Sequence, residues 1–342
     1  MKAMIIPRIC DLDIETDLLE PADVPIPLPG PGEVLIKVKA CGVCHTELDE
    51  ISGRTPPPRL PVIPGHQVVG LIEQIGPDVT GLQVGQRVGV AWIYKACGRC
   101  RYCQQGLENL CPQFVATGRD VDGGYAEYIK AVAGFIYAIP AYLSDAQAVA
   151  LLCAGAVGYR AVRLARLARG HRLGLSGFGA SAHIVLKIVR YLFPEMEVFV
   201  FARQQSERDF AIQLGVTWAG DFHQDCPVPL DAIIDTTPVW STIVRMLRAL
   251  APGGRLVINA IRKEDHDKHT LLDLDYGRDL WMEHHIQTVA NVTRQDVKDL
   301  LDLAGAMQLR PEVQIYRLEQ ANQALIEIKQ RRIRGAKVLL ID

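Results

Sequence analysis

Residues 173–183, LGLSGFGASAH, contain the stretch that decides the fold. Gly177, Gly179 and Ala182 form a G-x-G-x-x-A pattern between an apolar, strand-like run and the helix-like run IVLKIVRYL. Glycines at these places allow a tight turn and let a pyrophosphate approach a helix N-terminus closely. The pattern is weak when it stands alone, but its position between a strand and a helix predicts a dinucleotide-binding turn.

Strand-like and helix-like segments alternate on both sides of this turn, from about Ser144 to about Ala290. Such alternation predicts a parallel sheet covered by helices, a doubly wound Rossmann domain, which we place at residues 147–290. The strand candidates are short apolar runs bounded by turn or helix signals: Arg172–Gly177, Glu197–Ala202, Ala232–Thr236, Arg255–Ala260 and His285–Ala290.

The region before the alternation has a different character. Residues 1–140 hold seven of the nine cysteines, most of the prolines and short β-like runs such as Val34–Val38 and Val68–Ile72. A chain of 342 residues usually exceeds a single core. We therefore expect a second, irregular and mostly β domain at residues 1–146 and 291–342, to which the final strand AKVLLID returns.

Charge and composition exclude several classes of partner. The 37 basic and 39 acidic residues nearly balance, and no Lys/Arg-rich run is present, so neither nucleic acid nor a membrane surface is an expected partner. The N-terminal stretch MKAMIIPRICDLDIE lacks a long apolar run, and we expect a cytoplasmic protein. Nine cysteines in that compartment indicate thiols or metal ligands rather than disulfides.

Four of these cysteines crowd into one loop with the spacing C-x2-C-x2-C-x7-C: Cys97, Cys100, Cys103 and Cys111. Four thiolates at such spacing can surround one zinc ion. An iron–sulfur cluster is the other metal option, but the run lacks the short third spacing of a ferredoxin pattern. A site filled by four protein ligands has no open coordination position, so this zinc is predicted to be structural.

A second group is dispersed: Cys44 in CGVCHTEL, His66 in PGHQVVG and Cys153 in LLCAGAVGY. Each residue alone is more typical of ordinary core or turn positions. Together with the four-cysteine loop and the glycine turn, and in this order, they resemble the zinc-dependent medium-chain alcohol dehydrogenases over essentially the whole chain. The resemblance implies a GroES-like fold for the first domain and a catalytic zinc held by these three residues.

In this family the open fourth position of the zinc holds the substrate, so the resemblance implies reversible hydride transfer between an alcohol, held as alkoxide, and NAD(P). It also implies roles for further residues. Thr46 would accept the substrate proton, Glu47 would orient the ligating histidine, and Trp92 would line the substrate pocket. His45 and Arg294 would contact the cofactor pyrophosphate.

Two positions depart from the usual family pattern. Asp49 stands where many members carry a histidine that completes the proton relay, and a carboxylate titrates far lower than an imidazole. Gln67 replaces the glutamate of the common G-H-E motif, so the surroundings of the zinc carry less negative charge. We expect activity to survive both changes.

The end of the second Rossmann strand addresses cofactor choice. NAD-preferring members carry an acidic residue there for the ribose 2′-hydroxyl. The family pattern puts Ala202 at this place, followed by Arg203 and, one helical turn on, Arg208. A small neutral residue beside guanidinium groups favours the 2′-phosphate of NADP over NAD.

Three other functions would account for some of these sequence features. A zinc-ribbon nucleic-acid binder predicts a basic surface, which a formal charge of −2 does not support. A zinc-free quinone reductase would lack both cysteine groups. A binding or regulatory protein on a decayed dehydrogenase scaffold stays open because of Asp49 and Gln67.

By analogy with the family, we also expect two zinc ions per chain and a homo-oligomer, either a tetramer or a dimer.

Overall fold

The computed structural model describes residues 1–332 and 334–341. Its strands are β1 (Lys2–Ile5), β2 (Glu20–Asp23), β3 (Glu33–Val43), β4 (Val68–Ile75), β5 (Arg87–Val90), β6 (Ile93–Lys95), β7 (Val115–Ala116), β8 (Tyr128–Val132), β9 (Ile136–Ala138), β10 (Arg172–Ser176), β11 (Glu197–Phe201), β12 (Trp218–Gly220), β13 (Leu230–Asp235), β14 (Leu250–Ile258), β15 (His285–Thr288), β16 (Val313–Arg317) and β17 (Ala336–Leu340). Its helices are α1 (His45–Ile51), α2 (Arg101–Gln104), α3 (Asp145–Ala150), α4 (Ala156–Ala165), α5 (Ala180–Leu192), α6 (Gln205–Gln213), α7 (Ser241–Arg248), α8 (Arg294–Met307) and α9 (Ala321–Lys329).

Two compact units divide the chain: Met1–Ala156 with Asn291–Asp342, and Val157–Ala290. The predicted boundary after residue 146 falls earlier than this division. The difference arises because α3 packs against β3, β4 and β17 of the first unit before the helical run continues into α4. Periodicity in the sequence shows a continuous helix here and cannot show where its packing partners change.

The first unit is built on a seven-stranded sheet with the order β16-β17-β3-β4-β5-β9, in which β8 also pairs with β3. The long strand β3 is central because Val34, Ile36 and Val38 are all fully buried in the core of this unit. The last strand, β17, runs antiparallel to β3, with Leu339 opposite Cys41. Cys44 directly follows the end of β3, and His66 lies two residues before the start of β4.

The second unit contains a six-stranded sheet with the order β12-β11-β10-β13-β14-β15, and the paired strands are parallel throughout. Alternate residues of β11 enter two different cores: Val198 and Val200 join α5 on one face, while Phe199 and Phe201 join α7 on the other. The doubly wound fold is therefore confirmed. All five strand candidates are present, and β12 escaped prediction because it has only three residues.

The helical run Asp145–Ala165 is long and apolar enough, by length and composition, to cross a membrane. However, 67% of its most apolar window is buried inside the protein, as in the core helix of a globular fold. A membrane role does not follow from this helix.

Candidate active site

Cys44 lies where β3 ends and α1 begins. Its backbone N–H donates to Glu47 Oε2 at 2.7 Å, an N-terminal helix contact that fixes both residues. Glu47 is fully buried. The contact that begins the helix therefore also places a carboxylate in the interior of the first unit, beside the backbone of Cys44.

His66 uses this carboxylate. Its Nδ1 lies 3.0 Å from Glu47 Oε1, and its Nε2 lies 3.2 Å from Cys153 Sγ. Gly65 makes the approach possible, because it has φ +97° and a Cβ there would lie 2.4 Å from the ring of Tyr125. The imidazole is thus oriented with Nε2 towards the thiols.

Cys153 comes from a π-helical turn, Leu151–Gly155, inserted between α3 and α4. Such turns are rare in proteins, and many of those that occur lie at functional sites. The turn changes the direction of the side chains along the run, so that a cysteine on an apolar core helix reaches His66. The sequence alone gave no sign of this turn.

The sulfur and nitrogen atoms of Cys44, His66 and Cys153 lie within 4.8 Å of one another. A zinc ion bound by thiolates and imidazole needs ligand atoms roughly 3.4–3.8 Å apart, given its bond lengths of about 2.0–2.3 Å. The carboxylate behind the histidine is the usual outer partner of a ligating imidazole. The donor set, its spacing and its support therefore fit a three-ligand zinc site.

The three groups also perturb one another. Hydrogen bonding with Cys153, followed by that with His66, lowers the pKa of Cys44 well below its usual value despite burial. Burial opposes a charged imidazole, but the Glu47 carboxylate and the Cys44 sulfur together outweigh it and raise the pKa of His66 to about 10. A thiol that deprotonates easily is a ready metal ligand.

The four-cysteine loop gathers its sulfur atoms as the spacing predicted. Cys103 Sγ lies 3.9 Å from Cys97 Sγ and 3.6 Å from Cys100 Sγ, close to the edge of about 3.8 Å of a zinc–thiolate tetrahedron. All four ligand atoms, including that of Cys111, lie within 4.8 Å. Backbone N–H groups of Arg99 and Cys100 lower the pKa of Cys97 to about 6, which favours its thiolate.

The relay residues lie on α1. Thr46 is buried, and its Oγ1 is 3.4 Å from Cys44 Sγ. Asp49 is only 1% exposed, and its Oδ1 lies 2.5 Å from Arg54 Nη2. Burial raises the pKa of Asp49, partly offset by His45 and Arg54. The same guanidinium lies 3.2 Å from His45 Nε2, so one arginine joins the two predicted residues.

Trp92 and Gln67 both lie close to the metal ligands. The indole of Trp92 meets the His66 ring edge to face at a centroid distance of 5.0 Å. The guanidinium of Arg119 lies 5.7 Å from the centroid of Trp92. Gln67 is buried, and its amide packs so closely on β3 that a Cβ on Gly42 would lie 2.7 Å from it.

The glycine turn of the second unit has the geometry that the motif requires. Gly177 has φ +82°, and a Cβ there would lie 2.8 Å from Thr236 Oγ1. Gly179 is the N-cap of α5, and Ala182 is fully buried under the turn. The strand–turn–helix context predicted for the pattern is therefore present.

The end of β11 carries the residues named for cofactor choice. Ala202 is fully buried, and Arg203 is exposed. Arg208 is committed to the backbone: its Nη1 donates to the carbonyls of Ala202 at 2.6 Å and Arg203 at 2.8 Å. In the described structure, then, Arg203 is the more accessible of the two guanidinium groups.

Arg294 makes contacts within its own unit. Its Nε donates to Glu108 Oε1 at 2.6 Å, and its guanidinium lies 4.9 Å from the centroid of Phe135. A contact with the cofactor would have to compete with this ion pair, so that role stays a prediction.

Sequence reasoning missed two residues beside the ligands and relay residues, Arg54 and Arg119. Neither belongs to a spacing motif. Arg54 lies beyond the end of α1 and pairs with Asp49, and Arg119 lies far from Trp92 in the sequence but close to its ring.

Known proteins resemble the whole chain. Residues 30–141 match the alcohol dehydrogenase GroES-like domain, and residues 209–340 match the zinc-binding dehydrogenase family. The chain is 41% identical to the probable alcohol dehydrogenase AdhA of Mycobacterium tuberculosis, over 96% of this chain and 94% of that protein. It is 32% identical to an alcohol dehydrogenase of Geobacillus stearothermophilus, over 94% and 95% of the two chains.

Among solved structures, a cinnamyl alcohol dehydrogenase from Sorghum bicolor superposes with a TM-score of 0.86. The two share 26% identity, and the match covers 99% of this chain and 96% of that one.

Proposed function

Because the chain belongs to the zinc-dependent medium-chain alcohol dehydrogenases, enzymes that use zinc and a nicotinamide cofactor, we propose that Cys44, His66 and Cys153 hold its catalytic zinc. The observation that carries this assignment is the pair of contacts on His66, with Glu47 behind one ring nitrogen and Cys153 beside the other. The reaction is hydride transfer between an alcohol and the cofactor.

A zinc ion bound by these three residues supplies a Lewis acid that lowers the pKa of a substrate hydroxyl or polarises a carbonyl. Glu47 holds the imidazole in the tautomer with Nδ1–H, which leaves Nε2 free to ligate. Trp92, packed against the same ring, closes one side of the substrate pocket and excludes water from it. The size and polarity of the alcohol accepted then depend on Trp92 and its neighbours.

We assign Thr46 as the acceptor of the substrate proton, supported by the 3.4 Å distance from its Oγ1 to Cys44 Sγ. Asp49 lies three residues after Thr46 on α1, and its ion pair with Arg54 links it to a partly exposed side chain. As the Thr46 oxygen accepts the substrate proton, its own hydroxyl proton would pass on towards the Asp49 carboxylate. We also propose that His45, on the same helix, contacts a cofactor phosphate. Arg294 and the glycine turn are further proposed contacts of the cofactor, each assigned by resemblance to the family.

We assign a second zinc to Cys97, Cys100, Cys103 and Cys111. Elemental analysis of the purified enzyme tests the two sites together and should find two zinc ions per chain. Active enzyme with one zinc or none would contradict the assignment.

NADP is the cofactor that we propose the enzyme prefers. The buried, neutral Ala202 offers no negative charge against a 2′-phosphate, and the exposed Arg203 can donate to it. The test compares kcat/KM for NADP and NAD in the parent enzyme and in an Ala202→Asp/Arg203→Ile variant. The parent should favour NADP and the variant should shift towards NAD; equal or better use of NAD by the parent would refute the preference.

We also propose a cytoplasmic homo-oligomer. None of the nine cysteines, all of which the structure describes, forms a disulfide, which supports a reducing compartment. In the second unit, β15 is an edge strand, and large apolar side chains on or near it are exposed: Leu272, Tyr276, Trp281, Met282 and Ile286. Such a surface is typical of a protein interface, and light scattering of a Trp281→Glu/Ile286→Glu variant tests whether it joins subunits.

A further inference from the structure

A buried lysine lies in the second unit at the ends of the parallel strands. Lys263 follows β14, and its side chain is 7% exposed. Its Nζ lies 2.5 Å from Asp235 Oδ2 and donates to the carbonyl oxygens of Thr237 at 2.7 Å and Val239 at 3.1 Å. An ammonium group has three donors, and all three are used. Lys263 is therefore equipped to hold other residues and not to bind a ligand itself.

The partner carboxylate reaches the glycine turn. Asp235 ends β13 and is fully buried, and its Oδ1 accepts from Ser176 Oγ at 2.5 Å. Ser176 ends β10 and directly precedes Gly177. Thr236, the residue after Asp235, donates its backbone N–H to the Ser176 carbonyl at 2.8 Å. The ion pair is thus linked through the Ser176 hydroxyl to the residue that directly precedes Gly177.

The end of β14 joins the same network. The backbone N–H of Asn259 donates to the Asp235 carbonyl at 2.7 Å, and its Nδ2 donates to Ser181 Oγ, in the first turn of α5, at 3.3 Å. Three neighbouring strand ends, those of β10, β13 and β14, are therefore tied together around one residue, Asp235. Ligands of doubly wound sheets bind beyond such carboxyl ends of strands.

Two charges buried in the core seldom add much stability by themselves, because desolvation offsets their attraction. The pair does fix a geometry, since each hydrogen bond specifies where a strand end must lie. We propose that Lys263 is a positioning residue for cofactor binding: through Asp235 and Ser176 it holds the glycine turn in the shape that accepts the cofactor phosphates. This inference rests on the proposed role of the Gly177 turn.

The first unit offers a matched control. Lys337 also has a buried side chain, and its Nζ lies 2.5 Å from Oε2 of Glu327, whose side chain is 21% exposed. It has two further polar partners, Tyr316 Oη at 2.7 Å and Gln314 Oε1 at 3.0 Å. Removing this pair disturbs a lysine network of the same kind in the other unit, built from β16, β17 and α9, whose recorded partners are Glu327, Tyr316 and Gln314.

The experiment measures the dissociation constant of reduced cofactor by fluorescence, the melting temperature, and KM and kcat, for two double variants. Lys263→Met/Asp235→Asn and Lys337→Met/Glu327→Gln each remove both charges, so neither leaves a buried ion alone. The first should raise the cofactor dissociation constant about tenfold to a hundredfold, the range for loss of a positioning contact, and raise the cofactor KM more than it lowers kcat. The second should lower the melting temperature and leave the dissociation constant unchanged.

A Ser176→Ala variant keeps the ion pair and deletes only the hydroxyl that links it to the turn. It therefore still tests the role of this link if the double variant folds poorly. It should weaken cofactor binding about threefold to tenfold, as loss of one hydrogen bond does. Gly177→Ala separates the two hypotheses. If Gly177→Ala weakens binding while Lys263→Met/Asp235→Asn and Ser176→Ala do not, or if both lysine variants weaken it equally, the role of Lys263 is overturned. If Gly177→Ala itself leaves binding unchanged, the proposed cofactor turn is wrong.

Discussion

The two cysteine clusters of the first unit contain similar ligands in opposite surroundings. The four-cysteine loop lies within residues 97–111, and three of its four thiols are partly exposed. The other cluster joins Cys44, His66 and Cys153, separated by long stretches of chain, and two of its three ligands are fully buried. Four thiolates would fill a tetrahedral zinc site and leave no coordination position open, whereas three ligands would leave a fourth position for a substrate.

The sharpest test of this difference is Cys44→Ser. We expect alcohol oxidation to be lost, because a serine hydroxyl is a far weaker zinc ligand than a thiolate. The circular dichroism spectrum and the melting temperature should change little, since the four-cysteine loop stays intact. Turnover above the assay background in a variant with one zinc per chain would contradict our assignment of the catalytic site.

Thr46 tests whether the buried cluster works with a neighbouring hydroxyl. Thr46→Ala should lower kcat for alcohol oxidation by about two to four powers of ten, the usual contribution of a positioned acid–base group. Thr46→Ser keeps the hydroxyl and should stay within about tenfold of the parent. Steady-state kinetics with both variants decides the matter: an alanine variant at the parental rate would place the proton path elsewhere.

Glu47 tests a second difference between the two clusters, because its carboxylate contacts the His66 ring nitrogen that faces away from the other ligands. Glu47→Gln should weaken zinc binding at this site about tenfold to a hundredfold, as loss of a partner of a ligating histidine does. Competition with a chelator, followed by zinc analysis, measures the change. Zinc at the four-cysteine loop provides the internal control and should be retained at the same chelator concentration.

We expect the smallest effect on turnover per folded molecule from a substitution in the four-cysteine loop. Cys103→Ser should lower the melting temperature by several degrees, roughly 2–4 °C for each kcal/mol lost in a domain of this size. Freshly prepared enzyme, measured at low temperature, should keep a kcat within about twofold of the parent. An immediate loss of kcat without a change in melting temperature would mean that the loop serves catalysis directly.

The same contrast explains how much the sequence could predict. The spacing of Cys97 to Cys111 specifies a site because all four ligands belong to one loop. The fold class followed from the alternation around Gly177, where short apolar runs bounded by turn signals alternate with longer helix-like runs. The dispersed ligands came only through resemblance to a family, since no local pattern indicates that residues 44, 66 and 153 meet.

Other features have no local signal at all. The partner of Asp49 is Arg54, which lies beyond α1, and only the folded loop shows the pair. Lys263 and Asp235 each read as an ordinary charged residue. Their partners are set by the order of strands in the sheet, which depends on long-range packing.

The π-helical turn at Leu151–Gly155 has a consequence for how this chain can change by insertion and deletion. Each residue of an α-helix turns the chain by about 100°, so deleting one residue in this turn would restore regular winding and point the cysteine about a quarter-turn away from His66. The flanking helices would keep their hydrogen bonds, and the cysteine codon would still be present. A comparison of aligned sequences would then count the ligand as retained in a protein that had lost the site, because here the length of a segment, as much as the identity of a residue, carries the function.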